Sequence, residues 1–204
     1  MHPDGGPQEK DDRPEMTTHA LDLTGKLLVA MPGMSDPRFS HAVIYIAAHS
    51  ADGAMGLIVN KPARGMSLAD VLDHLSDEKV SDASALGVHI GGPVETERGF
   101  VLHSDDYQSA MQTLGVADGF ALTATLDILE DIAAGKGPGK AQLMLGYAGW
   151  GPDQLETELG MNGWLTCDAD MSLVFDLADR DKWAAAVKSL GVDPTGLSAV
   201  AGHA

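Results

Sequence analysis

Residues 42–59 read AVIYIAAHSADGAMGLIV, and this stretch decides the fold. Two runs of apolar and β-branched side chains, at 42–48 and 54–59, flank the short polar segment Ser50-Ala51-Asp52-Gly53. An Asp-Gly pair suits the positive φ of a tight turn, and two apolar runs around such a pair are typical of a β-hairpin. The sequence therefore predicts an antiparallel hairpin in which Gly53 has a positive φ.

Further strands and helices are predicted on both sides of this hairpin. Apolar runs predict strands at 27–31, 88–91, 99–103, 142–147, 164–167 and 172–175, with 92–98 as a loop. Helical spacing and capping residues predict helices that begin at Ser67, at Thr125 or Asp127, at Pro152, and at Asp179 or Asp181. Because these elements interleave without strict βαβ alternation, they favour an α+β domain around a mixed sheet.

The chain divides into a tail and one domain. Residues 1–18 hold three prolines and seven charged side chains, and they lack the basic start and apolar stretch of a signal peptide. We expect them to form a disordered N-terminal tail. No repeat or Pro/Gly/Ser-rich linker divides the rest, so residues 19–204 are predicted to form a single domain.

Charge and composition exclude several classes of function. Thirteen Lys and Arg residues against thirty Asp and Glu residues give a formal charge of −17, and no basic run is present. Such a surface repels phosphate backbones and anionic lipid, so direct binding to nucleic acid or to a membrane is not expected. The single cysteine, Cys167, rules out an intramolecular disulfide and a cysteine-based zinc cage. The composition predicts a soluble, acidic, cytoplasmic protein.

The usual catalytic and cofactor motifs are missing from the sequence. There is no Gly-x-Ser-x-Gly nucleophile elbow and no His-Glu-x-x-His helix. The glycine-rich segments at 91–93 and 135–139 do not have the spacing of phosphate-binding loops. Cys167 falls in a predicted strand, where a small buried thiol is ordinary. We therefore assign no catalytic residue, metal ligand or cofactor, although an uncharacterised enzymatic activity stays open.

Glycine, aromatic and polar residues gather at the predicted strand ends, which are plausible walls of a pocket. The hypothetical ligand-binding residues are Asn60, Gly91, Gly92, Arg98, His103, Tyr147 and Trp150, and Gln154, Glu156 and residues 162–164 follow them. Arg98 offers a planar fork of donors, and we predict that it faces a cleft shared with Tyr147 or Trp150. The alternative is that the aromatic residues cap the core, the glycines form turns and Arg98 is solvated.

Several short blocks, taken together, resemble the AlgH/YqgE family of bacterial proteins. The resemblance extends from about Leu23 to the last residue and leaves out only the tail. Its blocks are GKLLVAMP at 25–32, DP-x-F at 36–39, AVIYI at 42–46, GAMGLIVNKP at 53–62, GGPV at 91–94, RGFVLH at 98–103, LGYAGW at 145–150, QLE-x-E at 154–158, N-x-WL at 162–165 and GHA at 202–204.

The resemblance implies a single α+β domain whose mixed sheet curls toward a partial barrel with helices packed outside. The family carries the label of transcriptional regulator, from a proposed role in alginate synthesis, but it brings no reaction, cofactor or DNA-reading motif. Our first hypothesis is a regulatory or accessory protein that acts through a protein or small-molecule partner without binding DNA. The second is a small-molecule-binding protein or an enzyme with a pocket at the strand ends. The third is self-association through an exposed sheet edge.

Overall fold

The computed structural model describes residues 21–75 and 86–197, so the tail predicted at 1–18 lies outside the described residues. The strands in this part of the chain are β1 (Lys26–Ala30), β2 (Val43–Ser50), β3 (Gly53–Ile58), β4 (Val88–Ile90), β5 (Val94–Ser104), β6 (Leu114–Gly115), β7 (Phe120–Thr123), β8 (Ala141–Trp150) and β9 (Trp164–Asp168). The helices are α1 (Leu68–Leu75), α2 (Asp127–Ala133), α3 (Gln154–Gly160) and α4 (Asp179–Ser189). Within these residues, no helix combines the length and the apolar character needed to cross a membrane.

The nine strands form one curled, half-barrel sheet. Eight of them follow the order β6-β7-β5-β8-β3-β2-β1-β9, and β4 lies off this path. Neighbours along this order are antiparallel, and β4 adds a parallel pairing to β8. The pairings with β5, β3 and β4 make β8 the central strand of the sheet. The predicted single α+β domain with a mixed, curled sheet is confirmed.

The hairpin predicted from residues 42–59 is confirmed as strands β2 and β3. Ser50 pairs with Gly53 across the turn, and Gly53 has a φ of 126°. The register shifts by one residue between Ile46 and Ala48, which marks a β-bulge at Ala47. A bulge bends a strand and increases its twist, and this one lies in the half of the sheet that curls around helix α4.

Alternation along the strands divides the core between the two faces of the sheet. In β1, Leu27 faces a cluster that includes Val187 of α4. The next residue, Leu28, faces a cluster that includes Leu155 of α3. Because side chains of a strand alternate in direction, one apolar run serves both layers. Helices α1 and α2 cover a third cluster over the far half of the sheet, around Leu143.

Two predictions of secondary structure are wrong. Residues 172–175, predicted as a strand, belong to a π-helical turn at Ser172–Asp176, because the Asp170 carboxylate accepts the N–H groups of Ser172 and Leu173 and starts a helical turn. Residues 94–98, predicted as part of a loop, begin β5, because the Val94 backbone pairs with β8 despite the charged side chains that follow it. The short strands β6 and β7 were not predicted.

Candidate functional site

A cleft of about 580 Å³ lies between the loop at residues 31–39, the end of β8, helix α3 and the start of β9. Phe39, Trp150 and Trp164 form its aromatic walls, and we call it the aromatic cleft. Its volume lies within the range of about 300–1,000 Å³ typical of small-molecule sites. Strand ends and helix α3 therefore build a concavity of the size that a metabolite needs.

Two tryptophans share one carboxylate at the wall of this cleft. Trp150 ends β8 and Trp164 begins β9, and their rings meet edge to face with centroids 6.1 Å apart. Both indole N–H groups donate to Oε2 of Glu158, at 2.9 Å and 2.8 Å. The Gln154 amide donates to Oε1 of the same carboxylate, at 2.9 Å. Gln154 and Glu158 are four residues apart on α3 and so lie on one face of the helix.

Tight turns on either side of α3 bring these side chains together. Asp153, immediately before the helix, has a φ of 59°, and Asn162, shortly after it, has a φ of 55°. Asp and Asn tolerate this left-handed conformation better than most other residues. The two turns let the chain leave β8, complete the short helix and enter β9 within a few residues, which sets Glu158 between the two tryptophans.

The loop at residues 31–39 contributes an ion pair to the rim. The Arg38 guanidinium donates to both oxygens of Asp36, with Nη2 to Oδ2 at 2.6 Å. This pairing lowers the pKa of Asp36 through the hydrogen bonds from Arg38. Phe39 meets the Trp164 ring edge to face at 5.6 Å. The loop thereby supplies an aromatic wall and a charge pair that is already matched.

Arg98 was predicted to face a cleft shared with Tyr147 or Trp150, and the structure does not bring it into a common cleft with either residue. Arg98 lines a separate concavity of about 300 Å³, where its guanidinium donates to Glu95 (3.0 Å) and lies 4.9 Å from the Phe100 ring centre. Tyr147 packs edge to face against Phe100 and is among the lining residues of neither concavity. The reason is topological: β8 pairs with β5 near Tyr147 but with β3 at Trp150.

Asn60, another residue of the hypothetical site, binds backbone rather than facing the aromatic cleft. Its Oδ1 accepts the Val43 N–H and its Nδ2 donates to the His41 carbonyl, both at 2.9 Å. Both ends of the amide are thus engaged in holding the chain just before β2.

His103 is fully buried between β5 and β7. Its Nδ1 lies 2.8 Å from the Ser104 carbonyl and its Nε2 lies 2.9 Å from the Thr123 hydroxyl. Burial lowers the pKa of His103, so the imidazole is neutral, donating from Nδ1 and accepting at Nε2. The structure places this histidine in the core, away from both concavities.

Gly91 and Gly92 lie where the chain crosses β8 at very short range. A Cβ at Gly92 would lie 2.0 Å from the Tyr147 carbonyl carbon, and one at Gly91 would lie 2.3 Å from the Gly146 oxygen. No side chain fits there, so the absence of a Cβ is what permits this crossing. Their geometry is explained by backbone packing.

The residues that line the aromatic cleft were partly identified from the sequence. From the sequence, Gln154, Glu156 and residues 162–164 were named after the hypothetical site residues. Of these, Gln154 and residues 162–164 line the aromatic cleft, whereas Glu156 lies outside it and pairs with His49 at 2.8 Å. Glu158 and the Asp36–Arg38 pair were missed as site residues. The spacing of Glu158 four residues after Gln154 was the available signal, but its tryptophan partners lie on two strands that only the fold brings together.

A second polar cluster, which sequence reasoning also missed, lies under the start of α4. The Lys182 Nζ donates to Asp179 Oδ1 and to the Val59 carbonyl, both at 2.8 Å, and the side chain is about 1% exposed. His89 Nε2 lies 3.1 Å from the same Asp179 oxygen. Burial alone would raise the pKa of Asp179, but the hydrogen bonds from His89 and Lys182 outweigh it and hold the pKa at about 2. We call these three side chains the buried ion cluster.

Comparison with known proteins identifies relatives across nearly the whole chain. A family model described as AlgH-like matches residues 27–195. A UPF0301 protein of Ruegeria pomeroyi is 60% identical over 185 residues, covering 90% of this chain and 100% of its own length. A UPF0301 protein of Cereibacter sphaeroides is 50% identical over 184 residues, with 90% and 100% coverage.

Two solved structures share the fold. The solution structure of the AlgH protein from Pseudomonas aeruginosa, also UPF0301, has a TM-score of 0.74 and 42% identity, covering 96% of this chain and 100% of that one. A crystal structure of a Corynebacterium diphtheriae protein has a TM-score of 0.65 at 21% identity, with 86% and 89% coverage, and supports the fold alone. The extent of the family match and the identity to these relatives show that the chain belongs to the AlgH-like (UPF0301) family.

Proposed function

We propose that this protein is a cytoplasmic accessory or regulatory protein that acts by binding a small molecule in the aromatic cleft, without binding DNA. The observation that carries the proposal is the cleft itself, with aromatic walls and a few oriented polar groups around about 580 Å³. Ligand sites are mostly apolar concavities with a small number of placed polar groups. The hypothesis of a pocket at the strand ends is thus retained, with a different set of lining residues.

The chemistry of the cleft supports binding rather than catalysis. Its lining residues within the described part of the chain include no His, Cys or Lys, which are common nucleophiles and bases. Glu158 already accepts three N–H donors, and the Arg38 guanidinium is held by Asp36. Ser35 is the one hydroxyl nucleophile of the lining, and no hydrogen bond among the described residues joins it to a base, so the arrangement suits the orientation of a ligand better than nucleophilic catalysis.

The charge distribution supports action without direct DNA contact. The formal charge is −17, and many basic side chains are already in ion pairs with neighbouring carboxylates. Those paired are Lys26, Arg38, Arg98, Lys140, Arg180 and Lys182. A DNA complex would have to break several of these pairs to reach the phosphates, which opposes useful affinity.

The test follows the indole N–H signals of the three tryptophans by two-dimensional ¹H–¹⁵N NMR. A set of metabolite-sized compounds of both charges is titrated into the full chain, and we expect at least one to shift Trp150 and Trp164. Trp183 is the internal control, because its indole donates to the Ala30 carbonyl (2.8 Å) and does not line the cleft. Shifts spread equally over all three signals, or none in any titration, would contradict the proposal.

The DNA arm of the proposal is tested separately. A fluorescently labelled duplex should show no rise in anisotropy with micromolar protein at about 0.15 M salt. Sub-micromolar binding that weakens steeply as salt is raised would overturn the statement that the protein acts without DNA.

A further inference from the structure

Resting on the proposed function, we infer that the aromatic cleft selects small organic cations, that is, a protonated amine carried on an apolar body. The inference goes from the presence of a site to the chemical class of its ligand. It depends on which polar groups around the cleft are already engaged and which are still available.

Four side chains that line the cleft already donate hydrogen bonds within the protein. The indoles of Trp150 and Trp164 and the amide of Gln154 all donate to Glu158. The Arg38 guanidinium, the one cationic group among the lining residues described, donates to both oxygens of Asp36. The donors left for an anion are the remaining N–H groups of Arg38, whose charge Asp36 already balances, and the uncharged Ser35 hydroxyl and Asn162 amide.

The acceptors, in contrast, are available and carry unbalanced charge. Asp36 and Glu158 give the lining two carboxylates against a single guanidinium. The Asp36–Arg38 pair is matched, whereas Glu158 has only uncharged donors and, within residues 21–75 and 86–197, no Lys, Arg or His at salt-bridge distance. A carboxylate has about four lone-pair directions. Glu158 can therefore still accept a charged N–H group from a ligand.

The walls suit the apolar body and the charge of such a ligand. Aromatic rings attract cations through the negative potential of their faces, most strongly for tryptophan. The cleft offers three rings, of which Phe39 and Trp150 each meet Trp164 edge to face. Methionines at 31, 34 and 161 complete the lining, and Met161 is 67% exposed. Flexible, polarisable thioethers adapt to ligands of different shape.

The charge of the whole protein acts in the same direction. A formal charge of −17 raises the local concentration of cations around the surface and lowers that of anions. This long-range effect has no specificity of its own. Within the cleft, the net negative charge of the protein and the negative charge on Glu158 both attract a cation and both repel an anion.

Three probes with one phenylethyl body test the inference: 2-phenylethylammonium, 2-phenylethanol and 3-phenylpropionate. Their affinities for the full chain are measured from the indole shifts of Trp150 and Trp164, with Trp183 as the internal control. We expect the cation to bind about tenfold more tightly than the alcohol, the difference between a charged and a neutral hydrogen bond, and the anion to bind least. The cation affinity should fall as salt is added.

The outcomes separate the two proposals. Binding of the alcohol or the anion equal to or tighter than that of the cation overturns the inference while leaving a small-molecule site in place. No indole response to any of the three probes up to millimolar concentration overturns the inference, whereas the proposed function falls only if the wider compound set fails as well.

Matched variants locate the effect. Glu158→Gln keeps an oxygen acceptor for the indoles and removes the charge, so the preference for the cation over the alcohol should vanish. Glu156→Gln on the same helix is the control. This substitution removes the same unit of net charge, but Glu156 pairs with His49 outside the cleft. An equal loss of preference in both variants would show that only the overall charge of the protein matters and would overturn the role of Glu158. If Glu158→Gln does not fold, Phe39→Leu serves instead, and an unchanged cation preference in that variant would count against the aromatic wall.

Discussion

Glu158 in the aromatic cleft and Asp179 in the buried ion cluster are both carboxylates that accept several N–H donors, but their donors differ in charge. Glu158 is held by two indoles and an amide, all neutral, and it faces a cleft. Asp179 is held by the Lys182 ammonium and by His89 beneath α4. A carboxylate with a built-in cation stabilises the fold, whereas the proposal above requires that one with neutral donors keep its charge available to a ligand.

Access to water separates the two regions further. Lys182 helps to link α4 to the sheet, because its Nζ reaches both Asp179 and the Val59 carbonyl just after β3. Burial lowers the pKa of Lys182, and Asp179 offsets part of that effect. Removing Asp179 would leave the Lys182 ammonium, whose side chain is 1% exposed, without a counter-ion, whereas removing Lys182 would leave Asp179, which is 27% exposed, with His89 alone. At Glu158, water in the cleft can replace a lost partner.

The largest expected effect is on stability, from Lys182→Ala. Breaking a buried ion pair by removing one partner destabilises by about 3–5 kcal/mol, and we expect the lower end of this range because Asp179 is 27% exposed and keeps His89 as a partner. Urea unfolding followed by tryptophan fluorescence measures the change. The double variant Lys182→Met/Asp179→Asn, which removes both charges, should be more stable than Lys182→Ala. If Lys182→Ala costs less than about 1 kcal/mol, the size expected for an exposed pair, the buried ion cluster does not hold α4 to the sheet.

The next effect is a loss of stability in acid. The pKa of Asp179 is lowered from 3.8 to about 2 in the folded protein, so its contribution is complete above about pH 4 and is lost as the pH falls through about 2. The shift corresponds to about 2 kcal/mol in the free energy of unfolding. Urea unfolding at pH 5, 4, 3 and 2 measures it, within the range in which the chain still folds.

Asp179→Asn is the matched variant for the acid experiment. It removes the titrating group, so the slope of stability against pH between about 4 and 2 should become shallower than in the unchanged protein. Identical slopes in the two proteins would show that other carboxylates dominate the acid response and that Asp179 is not specially stabilised.

The smallest expected effect on stability is that of Glu158→Gln. The glutamine carbonyl can still accept from the two indoles, and the cleft admits water, so the cost should be about 1 kcal/mol or less. The same urea experiment measures it, and the contrast with Lys182→Ala tests the comparison directly. A loss as large as that of Lys182→Ala would mean that Glu158 is a structural group and that its charge is not held for a ligand.

The sequence by itself determined the local elements whose signals lie within a few residues. The Asp52-Gly53 turn predicted the β2–β3 hairpin, and Ser67 was correctly taken as the start of α1, where its hydroxyl accepts the Asp70 N–H at 3.2 Å. The mixed sheet was predicted from the interleaved order of the elements, and its curl through the family resemblance. The π-helical turn at Ser172–Asp176 escaped because a short apolar run fits a strand and a buried helical turn equally well.

Only the tertiary structure decided which residues share a site. Trp150, Glu158 and Trp164 lie within fifteen positions, yet their convergence depends on two left-handed turns and on the exchange of partners along β8. His89, Asp179 and Lys182 are joined across ninety positions by strand pairing and by the packing of α4. Arg98 and Trp150 illustrate the reverse case, since the fold places them in different concavities. Local propensity is decided by neighbouring residues, whereas convergence depends on how the sheet is paired, and no short window of sequence contains that pairing.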